Sequence, residues 1–247
     1  MNKTLPVVAQ EIKEGQLKGR VYLVTGATGG LGKATSLALA KYGATVILTG
    51  RNESKLDALY DEIEAASYPT PAIVSFDLAQ TEEDSYKQFI NSIFNEFKRL
   101  DGIVNAACHI GAIGPIGSQD SSEWLKVQQV NVNAAALMSK ICLPLLQQSE
   151  HASITFISDS SARQSKAYWG AYGVSKTSIE SFAMMLADEL EDTTVVSNVF
   201  IPGPCELPIR KKTHPGVESY KKNSIHDAVE SLLNVVISSE SGACYTQ

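Results

Sequence analysis

The sequence predicts an α/β fold: a doubly wound parallel sheet with helices on both faces, three layers in all. Three observations lead there. Short, uninterrupted apolar runs alternate with longer segments at helical period along the chain, the pattern of strands buried on both faces and joined by crossover helices. The first such run passes straight into a glycine cluster and then a helix. No shift of composition marks a linker, so residues 1–247 are expected to form one domain, with 1–19 as an N-terminal extension and 202–224 as a loop.

Taken in order, Val21–Thr25 is the first strand, and Leu31–Tyr42 follows at helical period. Ala44–Thr49 is the second strand. Asn52 is placed to cap a helix over Glu53–Ala66, because its short side chain can accept from a free N–H of the first turn. Pro69 and Pro71 end that helix, and Ile73–Phe76 is the third strand. Thr81 is expected to cap the next helix, with Glu82, Glu83 and Asp84 suiting its positive end. Tyr86, Phe89, Ile90, Ile93 and Phe97 recur at three and four residues, one buried stripe. Ile103–Asn105 is the fourth strand, Ser122–Gln148 a long helix, and Ile154–Ile157 the fifth strand. Ala171–Leu190 is a helix, Val195–Ile201 the sixth strand, and Ile225–Ile237 the last helix before a short tail. The segment between Pro202 and Ser224, rich in proline and lysine and without a clean period, reads as a surface excursion or lid.

Composition narrows the function. The chain carries 21 basic and 27 acidic side chains, a net charge of −6, which speaks against a general nucleic-acid binder. Cys108, Cys142, Cys205 and Cys244 are scattered, with neither a C-x-x-C pair nor metal-ligand spacing. No apolar h-region opens the chain, and no run reaches the roughly eighteen apolar residues that span a bilayer. The expectation is a soluble, cytoplasmic protein without a membrane or nucleic-acid partner.

The run Thr25-Gly26-Ala27-Thr28-Gly29-Gly30-Leu31-Gly32 lies between strand and helix. Glycines there let the backbone turn tightly and approach a pyrophosphate, which the helix N-terminus receives with free N–H groups and a positive dipole end. A site for NAD usually carries Asp or Glu at the end of the second strand. This chain has Gly50-Arg51-Asn52, and the planar fork of Arg51 suits a 2′-phosphate instead. NADP(H) is therefore the expected cofactor, ahead of NAD(H).

At this point the sequence resembles a classical short-chain dehydrogenase/reductase over nearly its whole length. Thr25, Gly26, Gly30 and Gly32 match T-G-x-x-x-G-x-G, and Tyr172 to Lys176 match Y-x-x-x-K. Asp77 follows the third strand, and Asn105-Ala106-Ala107-Cys108 stands where the family has N-N-A-G. Arg163-Gln164 and Trp169-Gly170-Ala171-Tyr172 also resemble the bacterial YciK-type subgroup of oxidoreductases. The resemblance implies a Rossmann-like fold and a homodimer or homotetramer formed through the helices Ser122–Gln148 and Ala171–Leu190. It places Gly26, Thr28, Gly30, Leu31 and Gly32 around the cofactor, with Arg51, Asp77, Leu78 and Asn105. It adds Pro202, Gly203, Tyr172 and Lys176 at the nicotinamide end.

A free phenol, with a pKa of ~10, is a poor base at neutral pH. Lys176, one helical turn after Tyr172, brings a positive charge to the same face and is expected to lower that pKa. Tyr172 can then exchange a proton with a carbonyl or alcohol substrate. The resemblance gives Lys176 a second role on the nicotinamide ribose. It makes Asn131, 41 positions before Tyr172, the anchor of a relay water.

Two departures from the family stand out. The catalytic serine is normally thirteen residues before the tyrosine, and here that position is Asp159, flanked by Ser158 and Ser160. An ionised aspartate only accepts hydrogen bonds, and its charge opposes a phenolate. Three outcomes are open: a protonated Asp159, a neighbouring serine acting as donor, or an NADP-binding module with weak or lost turnover. The other departure is Pro202-Gly203-Pro204-Cys205, where the family often follows P-G with a threonine on the carboxamide, so Cys205 or a backbone group would have to make that contact. Cys108, by its bulk, reads as packing, and His109 and Trp169 are candidates for the substrate wall.

Overall fold

The computed structural model describes residues 4–160, 162–213 and 223–247. Among them, eight parallel strands form one sheet in the order β1-β8-β7-β6-β5-β2-β3-β4. The strands are β1 (Thr4–Pro6), β2 (Val21–Thr25), β3 (Thr45–Thr49), β4 (Ala72–Ile73), β5 (Gly102–Asn105), β6 (Ala152–Ile157), β7 (Val195–Ile201) and β8 (Cys244–Thr246). The helices are α1 (Gly30–Lys41), α2 (Glu53–Ala65), α3 (Glu83–Phe97), α4 (Ser121–Gln128), α5 (Ala134–Leu146), α6 (Gly170–Glu189), the short α7 (Arg210–Thr213) and α8 (Ile225–Val236). This is the Rossmann-like, doubly wound sheet expected.

Alternation along the strands builds both layers. In β2, Val21 and Leu23 pack into the core of α3, α5 and α6, whereas Tyr22 and Val24 pack into that of α1, α2 and α8. All five residues of β2 are buried, as a central strand covered on both faces requires. The chain winds from β2 outward through β3 to β4, then returns to the other side of β2 at β5. The strand order therefore reverses between β2 and β5, and a crevice opens there at the strands' C-terminal ends.

Several elements differ from the sequence expectation. The N-cap of α3 is Glu82, not Thr81, with no side-chain cap bond; Glu83 and Asp84 still fall in the first turn. Asn52 does cap α2, accepting from the Lys55 amide at 2.9 Å. The third strand keeps only two ladder residues, although Val74 and Phe76 continue to donate to Leu48 and Gly50. The expected helix 122–148 is α4 and α5 joined by a π-helical turn over Gln129–Asn133. Two short strands, β1 and β8, went unforeseen; among the described residues β1 pairs with β8 alone at the sheet's edge, Thr4 opposite Cys244. The four cysteines are free thiols, and no helix among the described residues is long and apolar enough to cross a membrane.

One buried charge ties the lower end of the sheet together. Asp101 is 1% exposed and accepts from Arg99 (2.6 and 2.9 Å), the Val21 amide (2.8 Å) and Ser149 Oγ (2.7 Å). Burial alone would raise its carboxyl pKa, but the bonds from Arg99, Val21 and Ser149 outweigh it and hold the pKa below the usual value. Asp101→Asn is expected to lower the unfolding free energy by about 2–3 kcal/mol, read from urea denaturation with an unchanged slope. Because the folded-state pKa is depressed, Asp101's contribution is complete above the ordinary carboxyl pKa. It is lost as pH falls through the folded value, so the deficit of the variant shrinks toward acid pH.

Candidate active site

The crevice at the reversal point is a cleft of about 690 Å³. Its floor near β2 is the glycine turn. Gly32 is required there, since a Cβ would lie 2.2 Å from the carbonyl oxygen of Gly26. At Gly26, with φ +64°, a Cβ would meet Ala107 Cα at 2.6 Å. The turn thus packs directly on the loop after β5, and the Ala107 amide donates to Thr25 Oγ1 at 3.3 Å. Helix α1 starts from Gly29 with no side-chain cap and no acidic residue in its first turn. Gly30, Leu31 and Gly32, in its first turn, line the cleft.

Farther out, Thr28 and Arg51 line the same cleft with Asp77 and Leu78. Arg51 is well exposed, its Nε 3.9 Å from Asp77 Oδ1, and Asp77 also accepts from the Ala79 amide at 3.0 Å. Asn105, at the end of β5, borders a small adjoining cavity, and its buried Nδ2 has no hydrogen-bond partner. The site thus has an uncapped helix end, an exposed guanidinium and a buried donor awaiting an acceptor. These residues fit a phosphorylated dinucleotide. Pro202 reaches the wall; Gly203, with φ +64°, turns the chain just behind it. Cys205 is buried and bonded to the Pro202 carbonyl at 3.5 Å, while Leu207 and Pro208 line the cleft over Gly30. The lid expected over 202–224 is described only in part: α7 belongs to it, and residues 214–222 lie outside the described residues.

Across the cleft, three turns of α6 are stitched to three consecutive residues at the end of β6. Lys176 Nζ donates to the Ile157 carbonyl at 2.8 Å. Ser158 Oγ donates to Glu180 Oε1 at 2.5 Å. Tyr172 Oη donates to Asp159 Oδ2 at 3.0 Å. Residues 172, 176 and 180 are spaced by four and so share one helix face. Glu180 also binds Arg163 Nη2 at 2.9 Å, and both are largely buried. Ser158 is therefore committed to Glu180 and is not available as the substitute donor.

Asn131 sits inside the π-helical turn, which swings its side chain inward. Its Oδ1 accepts from the His109 amide at 2.7 Å; its Nδ2 donates to the His109 carbonyl and to Ser175 Oγ, both at 2.9 Å. Asn131 thereby pins the loop after β5 to α6. His109 turns its ring to Glu123, 2.9 Å from Nε2, at the cleft wall. Trp169 stacks at a tilt beside Tyr172, centroids 5.8 Å apart.

The electrostatics correct one expectation. The Tyr172 pKa is raised well above that of a free phenol: burial is the main cause, then Cys108, the Asp159 charge and the bond to Asp159. The Lys176 ammonium lies 5.7 Å from the ring centroid and does not reverse this. Burial likewise raises the Cys108 pKa; Lys176 opposes the shift and Asp159 reinforces it. Cys108 is thus a protonated packing thiol beside the Tyr172 phenol.

Glu180, Ser175 and the His109–Glu123 pair were not foreseen. For Glu180 the signal was present: it repeats the Tyr172–Lys176 spacing once more. Glu180→Ala strands the Arg163 guanidinium and is expected to cost about 3 kcal/mol of stability. Faster hydrogen exchange at Ser158 and Arg163, with the middle of α6 still protected, would locate the loss.

Comparison with known proteins agrees with this geometry. The family model for short chain dehydrogenases matches residues 20–218. The uncharacterised oxidoreductase YciK of Escherichia coli K12 is 36% identical over 209 residues, covering 85% of this chain and 82% of that protein. A short chain dehydrogenase of Shigella flexneri 2a, solved with NADP, superposes with a TM-score of 0.90 at 32% identity, covering 95% of this chain and 99% of the other. One from Escherichia coli CFT073, solved with NADPH, gives 0.90 at 33% identity over 95% and 98% of the two chains.

Proposed function

The chain belongs to the short-chain dehydrogenase family, and on that premise we propose that it is an NADP(H)-dependent oxidoreductase interconverting a carbonyl and an alcohol. The observation that carries the proposal is the meeting of Tyr172 and Lys176 with the uncapped start of α1 across one cleft. Relatives of the same fold solved with NADP and NADPH support the choice of cofactor, as does Arg51 in place of an acidic residue.

The residues divide the work. Gly30, Leu31 and Gly32 would hold the pyrophosphate through backbone N–H groups, Arg51 the 2′-phosphate, and Asp77 with Leu78 the adenine side. Lys176 would bind the nicotinamide ribose. When bound, the nicotinamide supplies or accepts the hydride. Tyr172 exchanges the proton with the substrate oxygen. Asn131 keeps the His109 loop and α6 at a fixed separation, so that Tyr172 faces the cleft. The whole chain is read as one domain in a cytoplasmic homodimer or homotetramer, with a small carbonyl or alcohol as substrate.

A second reading has an observation of its own. The Tyr172 phenol spends its proton on Asp159, which favours an NADP-binding module with weak turnover. Titration with NADPH and NADH, followed by a panel of carbonyls and alcohols, separates the two. Arg51→Ala is expected to weaken NADPH binding about 10- to 100-fold, from the loss of a charge-assisted pair, while leaving NADH binding unchanged. Tyr172→Phe is expected to abolish turnover without changing NADPH affinity. A wild-type protein that binds NADPH yet turns over no substrate of the panel would leave the module reading standing.

A further inference from the structure

Asp159 changes the route of the proton at Tyr172. In this chain the phenol is 3% exposed and donates to a carboxylate oxygen 3.0 Å away. The other groups around it are already engaged. Ser158 donates to Glu180, both protons of Asn131 Nδ2 are used, and the His109 ring is paired with Glu123. Lys176 and Cys108 carry protons of their own, and Lys176 directs one of its protons to Ile157. Among these groups the Asp159 carboxylate is the proton acceptor within reach of the phenol.

Resting on the oxidoreductase reading above, we propose that Asp159 is the terminal proton acceptor of a Tyr172–Asp159 relay, which sets the site at neutral pH for oxidation of an alcohol. The substrate hydroxyl gives its proton to Tyr172 Oη as the phenol's own proton passes to Asp159 Oδ2. The carbinol C–H bond breaks, its electron pair leaves as hydride to NADP⁺, the oxidant, and the C–O bond becomes a carbonyl. The products are the carbonyl compound, NADPH and a protonated Asp159, which returns its proton to solvent through the cleft. No phenolate forms at any stage, in keeping with the buried surroundings of Tyr172. By reversibility, carbonyl reduction begins from Asp159 carrying the proton.

The relay has a pH signature. Alcohol oxidation loses rate on the acid side as Asp159 takes up a proton, and carbonyl reduction loses rate on the alkaline side of the same ionisation. Other titratable and charged groups border the cleft. They are Lys176 on α6, Cys108 and His109 on the loop after β5, Glu123 and Lys126 on α4, and, farther out, Arg51 and Asp77. The Arg163–Glu180 pair lies beneath.

The test compares the wild type with Asp159→Asn, which keeps the shape, and Asp159→Ser, which restores a neutral donor. Steady-state rates against pH are measured with NADP⁺ and a panel of secondary alcohols. In parallel, the ¹⁹F resonance of 3-fluorotyrosine placed at position 172 is followed against pH, with and without NADP⁺. The relay predicts that Asp159→Asn loses the acid limb and about 100-fold in kcat, while NADP⁺ affinity stays within about twofold. It also predicts that Asp159→Ser moves the limb to the alkaline side, where the phenol itself ionises. The ¹⁹F shift of the wild-type dyad should titrate in step with its acid limb and lie flat in Asp159→Asn. Alcohol turnover whose acid limb survives in Asp159→Asn overturns the relay and leaves the oxidoreductase reading intact. So does an Asp159→Ser variant far faster than the wild type with an unchanged limb. A ¹⁹F titration that depends on Asp159, with no turnover of any alcohol or carbonyl, overturns both.

Discussion

The fit of α6 against the end of β6 sets the geometry on which the site depends. Two steps along a strand cover about 7 Å, while two turns of helix cover about 11 Å, so two such segments cannot be matched residue for residue by short side chains. Lys176, Glu180 and Tyr172 are long enough to make up the difference, and each takes a different residue of Ile157–Asp159. One of the three bonds is to backbone, one belongs to a buried ion pair and one joins two groups with acid–base chemistry. The same helix is held from the other side by Asn131 through Ser175. A displacement of α6 would therefore disturb the cleft wall, the loop after β5 and the phenol together.

Asp159 puts an acceptor where the family resemblance leads one to expect a hydroxyl donor. A donor there would stabilise negative charge growing on a substrate oxygen. A carboxylate instead draws the proton of Tyr172 toward itself and joins burial in keeping the phenol protonated. The positive charge of Lys176 is directed at a carbonyl of β6, so its influence on the phenol is smaller than the Y-x-x-x-K spacing suggests. The same motif can thus sit in a family fold with a different distribution of protons, decided by one residue on the facing strand end.

Much of this could be read from the chain. The central strands and α1, α2 and α6 declared themselves through unbroken apolar runs and helical period, because burial on one or two faces imposes those periods. The glycine turn, Arg51 and the Tyr172–Lys176 pair were legible because their spacing is tied to local geometry, whereas Asn131 was picked out by the family resemblance alone. What was missed depends on contacts between distant segments. The strands β1 and β8 are three residues each, too short for a period, and exist because β8 adds to β7 and β1 in turn adds to β8. The π-helical turn over Gln129–Asn133 accompanies the bonds of Asn131 to His109, a contact between distant segments. The direction of the Tyr172 shift required knowing how deeply the ring is buried and that the Asp159 carboxylate lies in contact with it.

The pairing of β1 with β8 also bears on how the protein is made. Among the described residues Thr4–Pro6 pairs with Cys244–Thr246, yet of all the strands it is the first in chain order and its partner the last. Until β8 has been made, the earliest of these strands has nothing to pair with and the edge of the sheet at β7 stays open. Closure of that edge thus waits on β8, and a chain stopped short of it leaves β7 as an unpaired edge and β1 without a sheet to join.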